Sequence, residues 1–129
     1  MQPTGDRWLV NGPGTKPGSE CVAGSPWMGR EWCRRINGGR GPLWPEYYHC
    51  GEDEELQEVA IKYGVFWQRP DLTHFHHHWG RPKEGERLGL ASRMPAFLTR
   101  ANSKEEWAKM KKLLAERKAA GWPGTEPIA

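Results

Sequence analysis

Glycine and proline punctuate the first third of this chain so densely that long regular elements have little room there; many of the 16 glycines and 11 prolines fall before residue 46. Glycine samples backbone conformations that helices and strands exclude, and proline removes a backbone donor. The stretch from Met1 to about Glu20 therefore reads as an irregular arm. Within it Trp8-Leu9-Val10 predicts one short strand, and Cys21-Val22-Ala23 a second. At 129 residues and 36% hydrophobic content the chain has the size of one small domain and a modest supply of core material.

Three helices are expected. Ser25 precedes Pro26, and Trp27, Met28, Trp32 and Ile36 recur at roughly helical spacing before Asn37-Gly38-Gly39, which predicts helix one over the stretch to Ile36. Prolines at 42 and 45 and aromatics at 44, 47 and 48 then suit an extended loop packed by its rings. Leu56, Val59, Ala60 and Tyr63 form an apolar stripe, with an acidic run before it and Gly64 after it, so helix two is expected from near Glu52 to Tyr63. Val65 to Gln68 and Leu72 to Trp79 read as two strands, separated by Arg69-Pro70-Asp71. The segment from Gly80 to Asn102 is mainly Gly, Pro, Arg and Lys and reads as a long loop of the kind that often binds ligands. A last helix starts at the capping box Ser103-Lys104-Glu105-Glu106, lines one face with Trp107, Met110, Leu113 and Leu114, and stops at Gly121-Trp122-Pro123. Lys118 is placed to lay its stem over that face.

The expected fold class is α+β: a small domain of about three helices and a few short strands, with a long irregular N-terminal arm and a basic loop. Residues 1–20 form the arm, 21–123 a single domain and 124–129 a tail. The formal charge of +3 comes from nearly balanced acids and bases, which is not the dense basic stripe of a nucleic-acid binder. Cys21, Cys33 and Cys50 are odd in number and lack a Cys-x-x-Cys pair, so neither a disulfide framework nor a cysteine zinc knuckle is indicated, and a reducing cytosol is the expected setting. No apolar run approaches the ~20 residues of a membrane span, and the N-terminus is unlike a signal peptide. The expectation is a cytoplasmic chain without a membrane partner.

The densest chemistry lies in Thr73-His74-Phe75-His76-His77-His78-Trp79, which holds four of the five histidines. On a strand, His74, His76 and His78 would share one face and could hold a divalent ion; the alternative is a polar strand end whose imidazoles bond carboxylates or water. Asp53, with Glu52 beside it, sits at a helix start where a carboxylate could accept a proton from a bound hydroxyl, although acids there also serve simply to complement the helix dipole. The eight tryptophans could stack on sugars or bases, with core packing expected for Trp32 and Trp107 and ligand contact for Trp79. Arg81, Lys83, Arg87, Arg93 and Arg100 could hold a diphosphate by charge and forked hydrogen bonds, or be a solvated loop.

Taken in order, Ser25-Pro26-Trp27-Met28-Gly29-Arg30-Glu31-Trp32, His49-Cys50-Gly51-Glu52-Asp53-Glu54-Glu55-Leu56, the run His74 to Trp79, and the ending Ala119-Ala120-Gly121-Trp122-Pro123 resemble the C-terminal, acceptor-side half of a GT-A glycosyltransferase. The similarity is to the inverting, family-2-like enzymes met in phage and bacterial genomes, and it covers residues from about 20 to 123. It implies that Asp53 is the base that deprotonates the acceptor hydroxyl, with Glu52 in support. It also implies that His74 or His76, with His78 behind, is a ligand to a divalent ion (manganese or magnesium) on the donor diphosphate. Arg81, Lys83 and Trp79 would share in holding that donor. The partners implied are a nucleotide-sugar donor and a hydroxyl acceptor.

Enzymes of this kind also carry an Asp-x-Asp motif on a nucleotide-binding half, and this sequence has no Asp-x-Asp. The resemblance therefore implies a gene fragment, the second piece of a split enzyme completed by a separate nucleotide-binding half or a homo-oligomer, or a descendant that kept the surface and lost the reaction, with activity of the lone chain left open. The competing reading is a small non-enzymatic metal- or nucleic-acid-binding protein, with the histidines and Cys50 on zinc and the arginine loop on phosphate. A third is a structural protein whose histidines and tryptophans serve packing alone.

Overall fold

In the computed structural model, which describes residues 10–14, 25–73 and 95–129, the element order is β1 (Val10–Gly14), β2 (Trp27–Met28), α1 (Arg30–Arg35), a single 3-10 turn (Asn37–Gly39), α2 (Glu52–Lys62), β3 (Phe66–Thr73), α3 (Ala96–Ala101) and α4 (Lys104–Ala119). The class is α+β. The two longer helices start and stop where the sequence places them. Ser103 caps α4, its side chain accepting a hydrogen bond from the Glu106 amide at 3.2 Å. Both helices end in a Schellman arrangement. In α2 the Gly64 amide reaches the Ile61 carbonyl and the Val65 amide the Ala60 carbonyl; in α4 Gly121 reaches Lys118 and Trp122 reaches Arg117.

Four expectations are corrected. Helix one begins later than predicted, because Trp27 and Met28 pair with β1 as strand and only Arg30–Arg35 is helical. The loop expected to reach Asn102 instead contains α3, opened by Pro95, whose missing amide hydrogen costs nothing at a helix start. The two strands flanking Arg69-Pro70-Asp71 are one element, β3, although its pairing does break there; the remainder of the second predicted strand, from His74 to Trp79, lies outside the described residues. Trp107 is 39% exposed rather than core. The predicted strand at Cys21-Val22-Ala23 lies outside the described residues, and of Trp8-Leu9-Val10 only Val10 is described, as the first residue of β1.

β1 is the central strand, antiparallel to β2 and parallel to β3. Val10 pairs with Phe66 and Pro13 with Arg69, after which the register jumps so that Gly14 pairs with Thr73. The jump leaves Pro70, Asp71 and Leu72 opposite no residue of β1, which suits a proline that has no amide hydrogen to give a ladder. Across this bulge Arg69 forks onto the Asp71 carboxylate, with Nε 2.7 Å from Oδ1, and lies over the Trp67 ring at 4.3 Å.

The core joins α1, α2 and the segment after α4: Trp32, Ile36, Leu56, Val59, Ala60 and Trp122 are all buried together. Burying a side chain of this kind is worth roughly 1.5–3 kcal/mol. The last residues add backbone bonds to this core. The Asn37 amide donates to the Thr125 carbonyl at 3.1 Å, Gly38 to Glu126 at 2.9 Å and Ile128 to Arg35 at 2.9 Å, while Arg35 Nε returns a 2.6 Å bond to the Ile128 carbonyl. Residues 125–128 thus lie as a strap along the end of α1 and the 3-10 turn. Among the described residues no helix is long and apolar enough to cross a membrane.

Candidate functional site at the start of α2

Gly51 turns the chain into α2 with φ 92, a left-handed backbone that disfavours a side chain. No side chain caps this helix start, and the first turn carries Glu52, Asp53, Glu54 and Glu55, which complement the helix dipole. The four acids meet different surroundings. Asp53 turns one oxygen, Oδ1, onto the Glu54 amide at 2.9 Å. Glu52 is half-buried, and its Oε2 is buried without a hydrogen-bond partner among the described residues. Burial is the main cause that raises the Glu52 carboxyl above the ordinary glutamate range; the Asp53 charge adds to it, and a backbone hydrogen bond and the His49 charge oppose it. Burial also pushes the Cys50 thiol up, with the Glu52 and Asp53 charges reinforcing it. Cys50 and Cys33 are free thiols.

Glu55 lies inside the protein. It is 2% exposed and Arg117 of α4 is 7% exposed, and Arg117 grips both carboxylate oxygens, with Nε at 2.9 and 2.8 Å and Nη2 at 2.6 Å. The same Nη2 donates to the Pro123 carbonyl at 3.0 Å, and the guanidinium lies 3.5 Å from the centroid of the Trp44 ring. Tyr47 completes the group by donating its hydroxyl to Glu55 Oε2 at 2.7 Å. Burial first, then the Glu55 hydrogen bond and charge, raise the Tyr47 phenol far above its ordinary value, so it remains a donor.

Between residues 46–50 and α4 lies a cavity of about 100 Å³. Tyr47, Cys50, Met110 and Leu113 give it apolar walls, and Glu46, His49, Glu106 and Lys109 give it polar ones. Arg100 of α3 lies over the ring of Tyr48, another lining residue, at 4.5 Å. Space for a few small-molecule atoms thus opens directly beside the segment that leads into Glu52 and Asp53.

Of the predicted site residues, Glu52 and Asp53 are adjacent in the first turn of α2 as expected. His74, His76 and His78, with Trp79, Arg81 and Lys83, lie outside the described residues, as do Arg87 and Arg93. Among the described residues no group of three or more His, Cys, Asp or Glu side chains is placed to hold a metal ion. Glu55 and Arg117 are functional-site residues beyond those expected from sequence, and Trp44 and Tyr47, expected only to pack the loop, join them. Their signal was present: Glu55 falls beside Leu56 and one turn before Val59, and Arg117 one turn after Leu114, so each puts a charge on the apolar side of its helix. Comparison with family models, with curated proteins and with solved structures gave no match.

Proposed function

We propose that this chain is the acceptor-side part of a glycosyltransferase-like protein that moves a sugar from a nucleotide-sugar donor to a hydroxyl acceptor. The observation that supports this reading most is the pair of neighbouring carboxylates on one helix turn in unlike environments. Glu52 is half-buried with an unbonded oxygen, and Asp53 is hydrogen-bonded to the helix backbone. Two carboxylates held apart in this way are the usual raw material of acid–base chemistry. The cavity lined by Tyr47, His49 and Cys50 lies beside the segment that leads into these two residues, which do not line it themselves.

In this reading the acceptor hydroxyl attacks the anomeric carbon and gives its proton to Asp53, while the bond between that carbon and the nucleotide diphosphate breaks. Glu52 stands beside Asp53 on the same turn as its supporting carboxylate. His74, His76 and His78 are the candidate ligands of a divalent ion, and Arg81, Lys83 and Trp79 the candidate donor contacts. A bound ion would supply positive charge to the departing diphosphate. The sequence has no Asp-x-Asp, so this reading needs a nucleotide-binding half that these 129 residues do not supply.

The test is a titration of the protein with manganese and a panel of nucleotide sugars, read by tryptophan fluorescence and melting temperature. Manganese-dependent binding is expected in the wild type and in Asp53→Asn, and is expected to weaken at least tenfold in His76→Ala. No response to manganese, or stoichiometric zinc that survives dialysis and disappears in Cys50→Ala, would sink the proposal, the latter favouring a small zinc protein.

A further inference from the structure

We propose that Tyr47 and Arg117 are positioning residues that hold Gly51 and the first turn of α2, and with them Glu52 and Asp53, in a fixed place. The inference rests on the transfer reading for its functional meaning, but its geometry stands independently. Gly51 is wedged between two side chains: a Cβ built on it would lie 2.6 Å from Cγ of Met110 and 3.0 Å from Cε1 of Tyr47. Met110 belongs to α4 and is itself buried. The Tyr47 ring owes its orientation to the bond from its hydroxyl to Glu55, and Glu55 has no freedom because Arg117 holds both its oxygens. Arg117 is fixed in turn by the Pro123 carbonyl and the Trp44 ring. Hydrogen bonds therefore run from the segment after α4 through Arg117 and Glu55 to Tyr47, whose ring packs against the glycine that opens α2.

Stability alone does not explain such a group. Removing two charges from water costs about as much as their attraction returns, and well-packed apolar residues of similar volume often serve stability equally well. What apolar contacts lack is direction. A forked guanidinium on a carboxylate, with a phenol on the remaining lone pair, specifies one orientation for each partner. Here that orientation is passed to the residue from which Glu52 and Asp53 project, and active groups held on rigid elements by bonded neighbours keep their geometry best.

Two variants test the proposal. Tyr47→Phe removes only the hydroxyl, and the pair Glu55→Leu with Arg117→Met replaces the buried charges by apolar groups. Amide hydrogen exchange is followed at Glu54 and Glu55, in the first turn of α2, and at Leu113 in the middle of α4, together with the titration of the Glu52 carboxyl by carbon NMR. Both variants are expected to lower amide protection at positions 54 and 55, relative to each sequence's intrinsic exchange rate, at least tenfold more than at Leu113, and to bring Glu52 back toward an ordinary glutamate. Exchange that rises equally at all three sites, or a Glu52 titration unchanged in folded Tyr47→Phe, would overturn the proposal. None of these readouts needs a nucleotide sugar. If the manganese titration fails while exchange behaves as expected, the transfer reading falls and the positioning role stands.

Discussion

Ionising Glu52 is unfavourable in the folded chain because half of its surroundings are protein and one of its oxygens meets no donor. The folded-state value lies above the ordinary 4.5, so over the interval between the two the folded protein retains a proton that the unfolded chain has released. The associated stability is fully present below the ordinary value and is lost as pH rises through the folded one. Glu52→Gln, which cannot ionise, should therefore melt at a higher temperature than the wild type near neutral pH. The difference should shrink toward zero as the pH is lowered to about 4, and scanning calorimetry across that range checks it. At this scale the sequence revealed the acidic run but not its division of labour. Glu52, Asp53 and Glu55 look alike in a string of acids; what separates them is which side of α2 each occupies, and that side is defined by Tyr47 and Arg117, far apart in sequence.

Elements whose ends are written in local chemistry were legible. Ser103, Glu106, Gly64 and Gly121 each act through a bond to a residue no more than a few positions away, so the bounds of α2 and α4 follow from short stretches of sequence. Replacing Ser103 with alanine should cost about 1 kcal/mol by leaving the Glu106 amide without its acceptor. A shift in the urea midpoint with an unchanged slope is the expected sign. Elements defined by partners were harder to read. Trp27 and Met28 have helical spacing with Trp32, yet β1 takes them as strand, and β1 itself is built from Val10-Asn11-Gly12-Pro13-Gly14, a sequence that any local reading places in a turn. α3 was hidden by its shortness and by the glycines and arginines preceding it. Trp107 lies on the apolar stripe of α4, but among the described residues the best-covered part of that stripe is Met110, Leu113, Leu114 and Arg117, and the ring one turn earlier stays partly in water.

Across the whole molecule the strap of residues 125–128 ties α1 to the segment that follows α4. Truncation after Gly124 would remove the acceptors of the Asn37 and Gly38 amides and the donor to the Arg35 carbonyl. With each bond worth about 0.5–1.5 kcal/mol and a further penalty for buried Asn37, a loss of about 3 kcal/mol or more is expected. Thermal melting of the truncated chain measures it; an unchanged melting temperature would show the strap to be superficial. The histidine run and the basic loop, where the sequence concentrates its chemistry, lie outside the described residues, so the legible part of the candidate site is its acidic half. The strap also has a consequence for how the protein is made. During synthesis α1 emerges early, but the carbonyl of Arg35 and the amides of Asn37 and Gly38 find their partners only after residue 128 has been added and has left the ribosome. At translation speeds of roughly 5–20 residues per second, the nascent chain spends several seconds with that helix end unsealed. Closure of the core at the end of α1 therefore waits on residues made much later, and a chaperone that recognises exposed tryptophan would have that interval in which to act.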